Sequence, residues 1–122
     1  VLVIDDSLTT RMLEQNILQS AGFDVDTATT AEEGLSKARR RPYGLFVVDV
    51  EMPGMNGFEF ARKVTAETRW SKTPIVALSS FSNPSDLARG REAGFRDYVA
   101  KTDRDALLNT LHDTLAELRG VA

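Results

Sequence analysis

Apolar runs of strand length alternate along this chain with longer stretches of helical spacing. Val1 to Ile4, Leu45 to Val48 and Pro74 to Leu78 are continuous apolar runs, the pattern of strands buried on both faces. Phe23 to Ala28 alternates and reads as a strand, and Asp97 to Ala100 reads as a weaker one. Ser7 can cap a helix running to about Ser20, with Met12, Leu13 and Ile17 expected inward and Gly22 placed to end it in the left-handed conformation. Thr30-Ala31-Glu32-Glu33 is a capping box that opens a second helix through about Arg40, after which Pro42 and Gly44 turn the chain into the central strand. A third helix carries Phe58, Ala61 and Val64 and fades near Thr68. Asn83 followed by Pro84 predicts a short fourth helix to about Ala93, with Gly94 as its stop. Thr102 with Asp105 caps the last helix, whose Leu108, Leu111, Leu115 and Leu118 read as a stripe packed on the core. Five strand-helix units in regular alternation predict an α/β fold, a parallel sheet covered by helices on both faces.

Composition narrows the function classes. A chain of 122 residues, 42% hydrophobic and 27% charged, fits one domain spanning 1–122. A net charge of -3 argues against nucleic acid held by phosphate attraction, which needs clustered cations. The basic run Arg39-Arg40-Arg41 falls where a helix ends and reads as a solvated, dipole-favoured terminus. With no cysteine there is neither a disulfide framework nor a thiolate metal site, and an intracellular, cytoplasmic setting is allowed. No apolar run is long enough to span a bilayer, so no membrane contact is expected of this segment. The chain starts at Val1, already inside an apolar strand, and is therefore expected to be a fragment of a longer protein.

The chemistry collects where strands end. The first apolar run releases Asp5 and Asp6, the central one Asp49, the fourth Ser79, and the last Lys101. In open α/β sheets ligands bind at the C-terminal edge of the strands. Each residue also has a plain reading: Asp5-Asp6 as a helix start, Asp49 as the start of a turn, Ser79-Ser80 as loop, Lys101 as a surface lysine. Their joint placement after separate apolar strands favours the chemical reading. Converging carboxylates repel unless a cation is bound, and an all-oxygen set without His or Cys selects a hard ion such as magnesium. Lys101 and the Ser79 hydroxyl then face phosphoryl oxygens, a set suited to phosphoryl transfer onto Asp49.

Four segments in order, Val3-Ile-Asp-Asp-Ser7, Val47-Val-Asp-Val-Glu-Met-Pro-Gly-Met-Asn-Gly57, Ile75-Val-Ala-Leu-Ser-Ser80 and Ala93-Gly-Phe-Arg-Asp-Tyr-Val-Ala-Lys101, resemble the receiver domain of two-component response regulators. The resemblance, to the CheY type, runs from Val1 to about Leu118. It implies the flavodoxin-like (βα)5 fold with strand order 2-1-3-4-5. It also implies that Asp49 accepts a phosphoryl group from a histidine kinase or phosphotransfer domain. Asp6, Asp49 and the backbone carbonyl of Glu51 would hold Mg2+, with Asp5 acting mainly through water, while Ser79 and Lys101 contact the phosphoryl oxygens. Tyr98 matches the family's aromatic switch, which turns inward as Ser79 moves; its plain reading is a half-buried strand tyrosine. Partners would read the surface around Phe81 to Arg91, Arg96, Tyr98 and Thr102 to Asp105.

The sequence departs from the family after Lys101, where Thr102 replaces the usual proline. A cis bond before a non-proline residue costs about 3 to 4 kcal/mol, so a trans bond is expected, with the loop before the last helix shifted and the aim of Lys101 with it. Serine at 79 keeps the hydroxyl that the switch needs. The segment Ala93 to Lys101, continuing Thr-Asp-Arg, is similar to receivers at the C-terminus of hybrid chemotaxis kinases of the CheA type. In that setting the domain would be a sink or feedback receiver, catalysing only its own phosphorylation and dephosphorylation. Two other readings stay open from the residues. One is a pseudo-receiver binding module, against which the intact Asp5, Asp6, Asp49, Ser79 and Lys101 argue. The other is a small Mg-dependent phosphatase with Asp49 as nucleophile and Glu51 as the second acid, against which the lack of a substrate-enclosing insertion argues. Glu51 and Phe81 flank the site and bear on water access.

Overall fold

A computed structural model of the chain describes residues 1–50, 56–67, 70, 73–79, 84–100 and 104–118, apart from the side chains of 84–87, 89, 115, 117 and 118. Along it run β1 (Leu2–Ile4), α1 (Leu8–Ser20), β2 (Asp26–Ala28), α2 (Ala31–Arg40), β3 (Phe46–Asp49), α3 (Gly57–Ala66), β4 (Ile75–Ser79), α4 (Pro84–Ala93), β5 (Asp97–Ala100) and α5 (Arg104–Leu118). The strands form one parallel sheet in the order β2-β1-β3-β4-β5.

Alternation along each buried strand builds two cores. Leu2, Ile4, Phe46, Val48, Ile75 and Ala77 point to one face and meet Leu35, Phe60 and Val64 from α2 and α3. Val3, Val47, Val76, Leu78 and Val99 point to the other and meet Leu18 of α1 and Leu107 and Leu111 of α5. A strand whose two faces are both covered has no room for polar side chains, which is why β1, β3 and β4 read as unbroken apolar runs. Phe46 sits at the centre of the first core, with the Phe60 ring 5.5 Å and the Trp70 ring 6.4 Å away, both edge-on.

Two of the helix starts, those of α1 and α2, are the ones their capping residues predict. Ser7 Oγ accepts from the Thr10 amide at 3.4 Å and Thr30 Oγ1 from the Glu33 amide at 3.0 Å. Asn56 Oδ1 does the same for Glu59 at 3.0 Å. Gly22 follows α1 with φ +95°, and Gly94 follows α4 with φ +110°, each in the region that side chains disfavour.

Three expectations need correction or trimming. In α1 the inward residues are Glu14 and Leu18, whereas Met12 and Leu13 are 52% and 53% exposed and Ile17 is only half-buried. The apolar positions 8, 12, 13, 17 and 18 allow more than one inward face, and the short β1–α1 connection decides between them. The Ser7 amide donates to Asp5 Oδ1 and the Arg11 guanidinium to the Asp5 carbonyl, both at 2.9 Å, which fixes the helix phase from its first turn. The second strand is three residues long, with Phe23 and Val25 lying against the core as its flank. On α5 the buried residues include Leu107, Leu111 and Thr114, with Leu108 at the edge; Leu115 and Leu118 have side chains outside the described set. Asn83, Thr102 and the Lys101-Thr102 bond also lie outside the described residues.

Arg39, Arg40 and Arg41 are exposed at the end of α2, as expected of a solvated terminus. Arg39 lies 3.6 Å from Glu67, and Arg41 lies 3.0 Å from Asp26. Tyr43 donates to the same Asp26 carboxylate at 2.6 Å, and burial, helped by that bond, pushes its phenol up to about 12. Among the described residues no helix is long and apolar enough to cross a membrane.

Candidate functional site

β1 and β3 are neighbours, with Ile4 opposite Val48, so the next residue of each, Asp5 and Asp49, emerges at the same point of the sheet edge. Both are buried, at 0% and 1% exposure, while Asp6 is exposed. One carboxylate oxygen from each of the three lies within 4.8 Å of the others. The turn into α1 produces this grouping: the Ser7 amide takes Asp5 Oδ1, and the chain then swings Asp6 outward over the edge.

Ser79 ends β4, the strand on the far side of Asp49, and is 2% exposed. It pairs with Ala100, the last residue of β5, which immediately precedes Lys101. Lys101, Glu51 and Phe81 themselves lie outside the described residues. Tyr98 stands on β5 opposite Ala77, half-buried. Its ring meets Phe95 edge-on at 6.2 Å, and Phe95 in turn meets Phe58 of α3 at 5.4 Å. The structure thus brings Asp5, Asp6, Asp49 and Ser79 to one edge, with Tyr98 two strands from Asp49.

Residues beyond those singled out from the sequence shape this edge. Gly57 opens α3 so close to β3 that a Cβ there would lie 2.8 Å from both the Asp49 carbonyl oxygen and Val50 Cα. Arg11 reaches back to the Asp5 carbonyl, and Phe58 and Phe95 carry ring contacts toward Tyr98. Only Gly57 left a visible signal, an Asn-Gly after the acid; the rest depend on where helices land.

Carboxylates this close, two of them out of water, repel, and a bound cation relieves that cost. Oxygen donors alone, one of them open to solvent, suit a hard divalent ion that keeps water and phosphate ligands. A cavity of about 650 Å3 lies at the opposite edge of the sheet, lined by Val1, Phe23, Asp26, Arg41 and Tyr43 among others, and touches none of these residues.

Residues 1–112 match the sequence pattern of the response regulator receiver domain. The chain belongs to the receiver domain family. The receiver is 31% identical to Protein PilH of Pseudomonas aeruginosa over 117 residues, covering 95% of this chain and 97% of that protein. It is 32% identical to the Sensor histidine kinase CheAY of Helicobacter pylori over 122 residues, covering 98% of this chain but 15% of that protein. The match to the Gliding motility regulatory protein of Myxococcus xanthus, 35% identical over 101 residues, covers 83% of this chain and 13% of that protein. Some curated relatives are thus far longer than this receiver. Among solved structures, Vibrio cholerae chemotaxis protein CheY4 superposes with a TM-score of 0.88 at 33% identity, covering 93% of this receiver and 95% of that chain. TrrA from Thermotoga maritima, solved in complex with Mg(2+)-BeF, superposes at 0.83 with 33% identity, covering 93% and 96%. The fold and the place in two-component signalling follow from the family.

Proposed function

We propose that this receiver takes a phosphoryl group onto Asp49 from a phosphohistidine of a histidine kinase or phosphotransfer domain. The observation that carries this is the meeting of Asp5, Asp6 and Asp49 within 4.8 Å at the C-terminal edge, beside a buried Ser79 on the next strand. An Asp49 oxygen attacks phosphorus, the P–N bond to the donor imidazole breaks, and the imidazole leaves with its nitrogen pair and takes up a proton. Water later cleaves the acyl phosphate, restoring the carboxylate and releasing phosphate. Asp6, Asp49 and the Glu51 carbonyl would hold Mg2+, with Asp5 acting mainly through water; when bound, the ion offsets the charge gathered on phosphate and carboxylates. The Ser79 hydroxyl and Lys101 serve the phosphoryl oxygens, and Tyr98 turns inward as Ser79 is drawn in, shifting the population of two states. Partners read the α4–β5–α5 face, where Arg91 and Arg96 are exposed and Tyr98 is half-buried.

The donor docks on α1. The large hydrophobic side chains exposed among the described residues are Leu8 at 61%, Met12 at 52% and Leu13 at 53%, all on the helix that starts beside the acids. Apolar side chains left open on one helix face suit a partner helix. Replacing Met12 and Leu13 together with serine is expected to leave phosphorylation by acetyl phosphate unchanged and to slow transfer from the cognate phosphorylated histidine protein about tenfold. Equal slowing from both donors would move the docking face elsewhere. The similarity to CheAY and to other sensor kinases fits a cytoplasmic receiver domain, 1–122, within a longer hybrid kinase, acting there as sink or feedback element.

Intact mass after incubation with acetyl phosphate and magnesium tests the central reading. One added phosphoryl group is expected, absent in Asp49→Asn and absent without the metal. A folded parent that gains no adduct, with rapid hydrolysis excluded by trapping, would instead make this a binding module that keeps the fold without the chemistry.

A further inference from the structure

Arg11 is a half-buried cation at the end of the first turn of α1, next to the acid cluster, yet among the described residues its guanidinium goes to a main-chain oxygen rather than to a carboxylate. Its Nη1 donates to the backbone carbonyl of Asp5 at 2.9 Å, across six residues. The position of that carbonyl gives the contact its meaning. The last rung between β1 and β2 is the Asp5 amide on the Ala28 carbonyl, at 3.1 Å, after which β2 ends and the chain turns into α2 at its Thr30 cap. Arg11 supplies a donor to the Asp5 peptide where the strand ladder stops.

The Asp5 carbonyl belongs to the same planar unit as the Asp6 amide and Asp6 Cα, because the peptide bond does not rotate. Fixing that oxygen therefore fixes where the Asp6 side chain leaves the backbone. Asp5 has a second restraint, the Ser7 amide on its Oδ1 at 2.9 Å, and is fully buried. Asp6 is exposed, without the packing that fixes a buried rotamer. Its reach toward Asp49 depends on the backbone beneath it.

We infer that Arg11 is a positioning residue for the metal-holding acids: it clamps the Asp5–Asp6 peptide so that the Asp6 carboxylate meets Asp5 and Asp49 in one place. This rests on the magnesium reading above. Groups that orient ligands from one shell out change metal affinity by about 10- to 100-fold when removed.

The test is Mg2+ affinity by isothermal titration calorimetry on the full chain, comparing the parent with Arg11→Met, which keeps the aliphatic packing and loses the donor, and Arg11→Lys, which restores one donor. Arg11→Met is expected to weaken Mg2+ binding at least tenfold, with Arg11→Lys recovering part of the loss. The acetyl phosphate reaction of Arg11→Met should need correspondingly more magnesium and reach the parental rate once saturated. Urea denaturation of both variants in metal-free buffer separates affinity from folding. Unchanged Mg2+ affinity in folded Arg11→Met would overturn the inference. So would tighter binding, which would make Arg11 an electrostatic competitor of the ion rather than a clamp. If the parent itself bound no Mg2+, the magnesium reading would fall and this inference with it.

Discussion

Gly57→Val is expected to lower the free energy of unfolding by about 3 kcal/mol, the upper end of what forced overpacking costs in a well-packed interior. The first atom added, Cβ, would stand 2.8 Å from the Asp49 carbonyl oxygen and 2.8 Å from Val50 Cα. Both are backbone atoms at the end of a central strand, so neither can turn aside as a side chain would. Relief has to come from lifting the first turn of α3 off β3, which also loosens Phe58 and Phe60, buried at 5% and 0% exposure. Because the displaced carbonyl belongs to Asp49, phosphorylation should fall along with stability. Urea denaturation with the phosphorylation rate read in parallel checks this, and Gly57→Ala should give a smaller loss of the same kind. A valine variant within 0.5 kcal/mol of the parent would mean that the contact between α3 and β3 is slack.

Asp49→Asn should move stability the other way when no divalent ion is present. Asp49 is 1% exposed and lies close to the equally buried Asp5 as well as the exposed Asp6, so removing its charge relieves a repulsion that, toward Asp5, little water screens. A gain of about 1 kcal/mol is expected in metal-free buffer. Magnesium should then reverse the order. At a free concentration ten times its dissociation constant it adds about 1.4 kcal/mol to a fold that binds it, and the asparagine variant should gain much less. Thermal melts of both proteins with EDTA and with magnesium give all four values. A variant less stable than its parent in EDTA would mean that the Asp49 carboxylate makes bonds worth more than the repulsion it suffers.

The sequence carried the layer architecture and the position of the acids, because both rest on strands covered on two faces. Such strands are apolar up to their C-terminal end, so the first polar residue after Ile4, Val48 or Leu78 marks where the strand reaches the sheet edge, still buried. Caps such as Ser7 and Thr30 were legible for a similar reason, since a helix start needs a side-chain acceptor within three residues of itself. The orientation of α1 was not. Its apolar residues at 8, 12, 13, 17 and 18 leave the inward face undecided, and the face that won buries a carboxylate, Glu14, while leaving Met12 and Leu13 outside. That outcome depends on how a three-residue turn is pinned, a tertiary matter invisible to periodicity. Arg11 was missed for a related reason: its partner is a main-chain oxygen, which every residue carries and no motif marks.

The rings of Phe58, Phe95 and Tyr98 come from three separate pieces of chain, the first turn of α3, the turn after α4, and β5. A Cβ at Gly90 would come within 2.8 Å of the Phe95 ring and 3.2 Å of Tyr98, so the bare α4 backbone is what lets the last two rings lie side by side. Aromatic rings neither bend nor compress, and a row of them in contact behaves as a strut. One end of this strut stands next to Gly57, wedged on the Asp49 carbonyl, and the other is the tyrosine on β5. The start of α3 beside Asp49 and the tyrosine on β5 are thereby joined by two ring contacts with no flexible side chain between them.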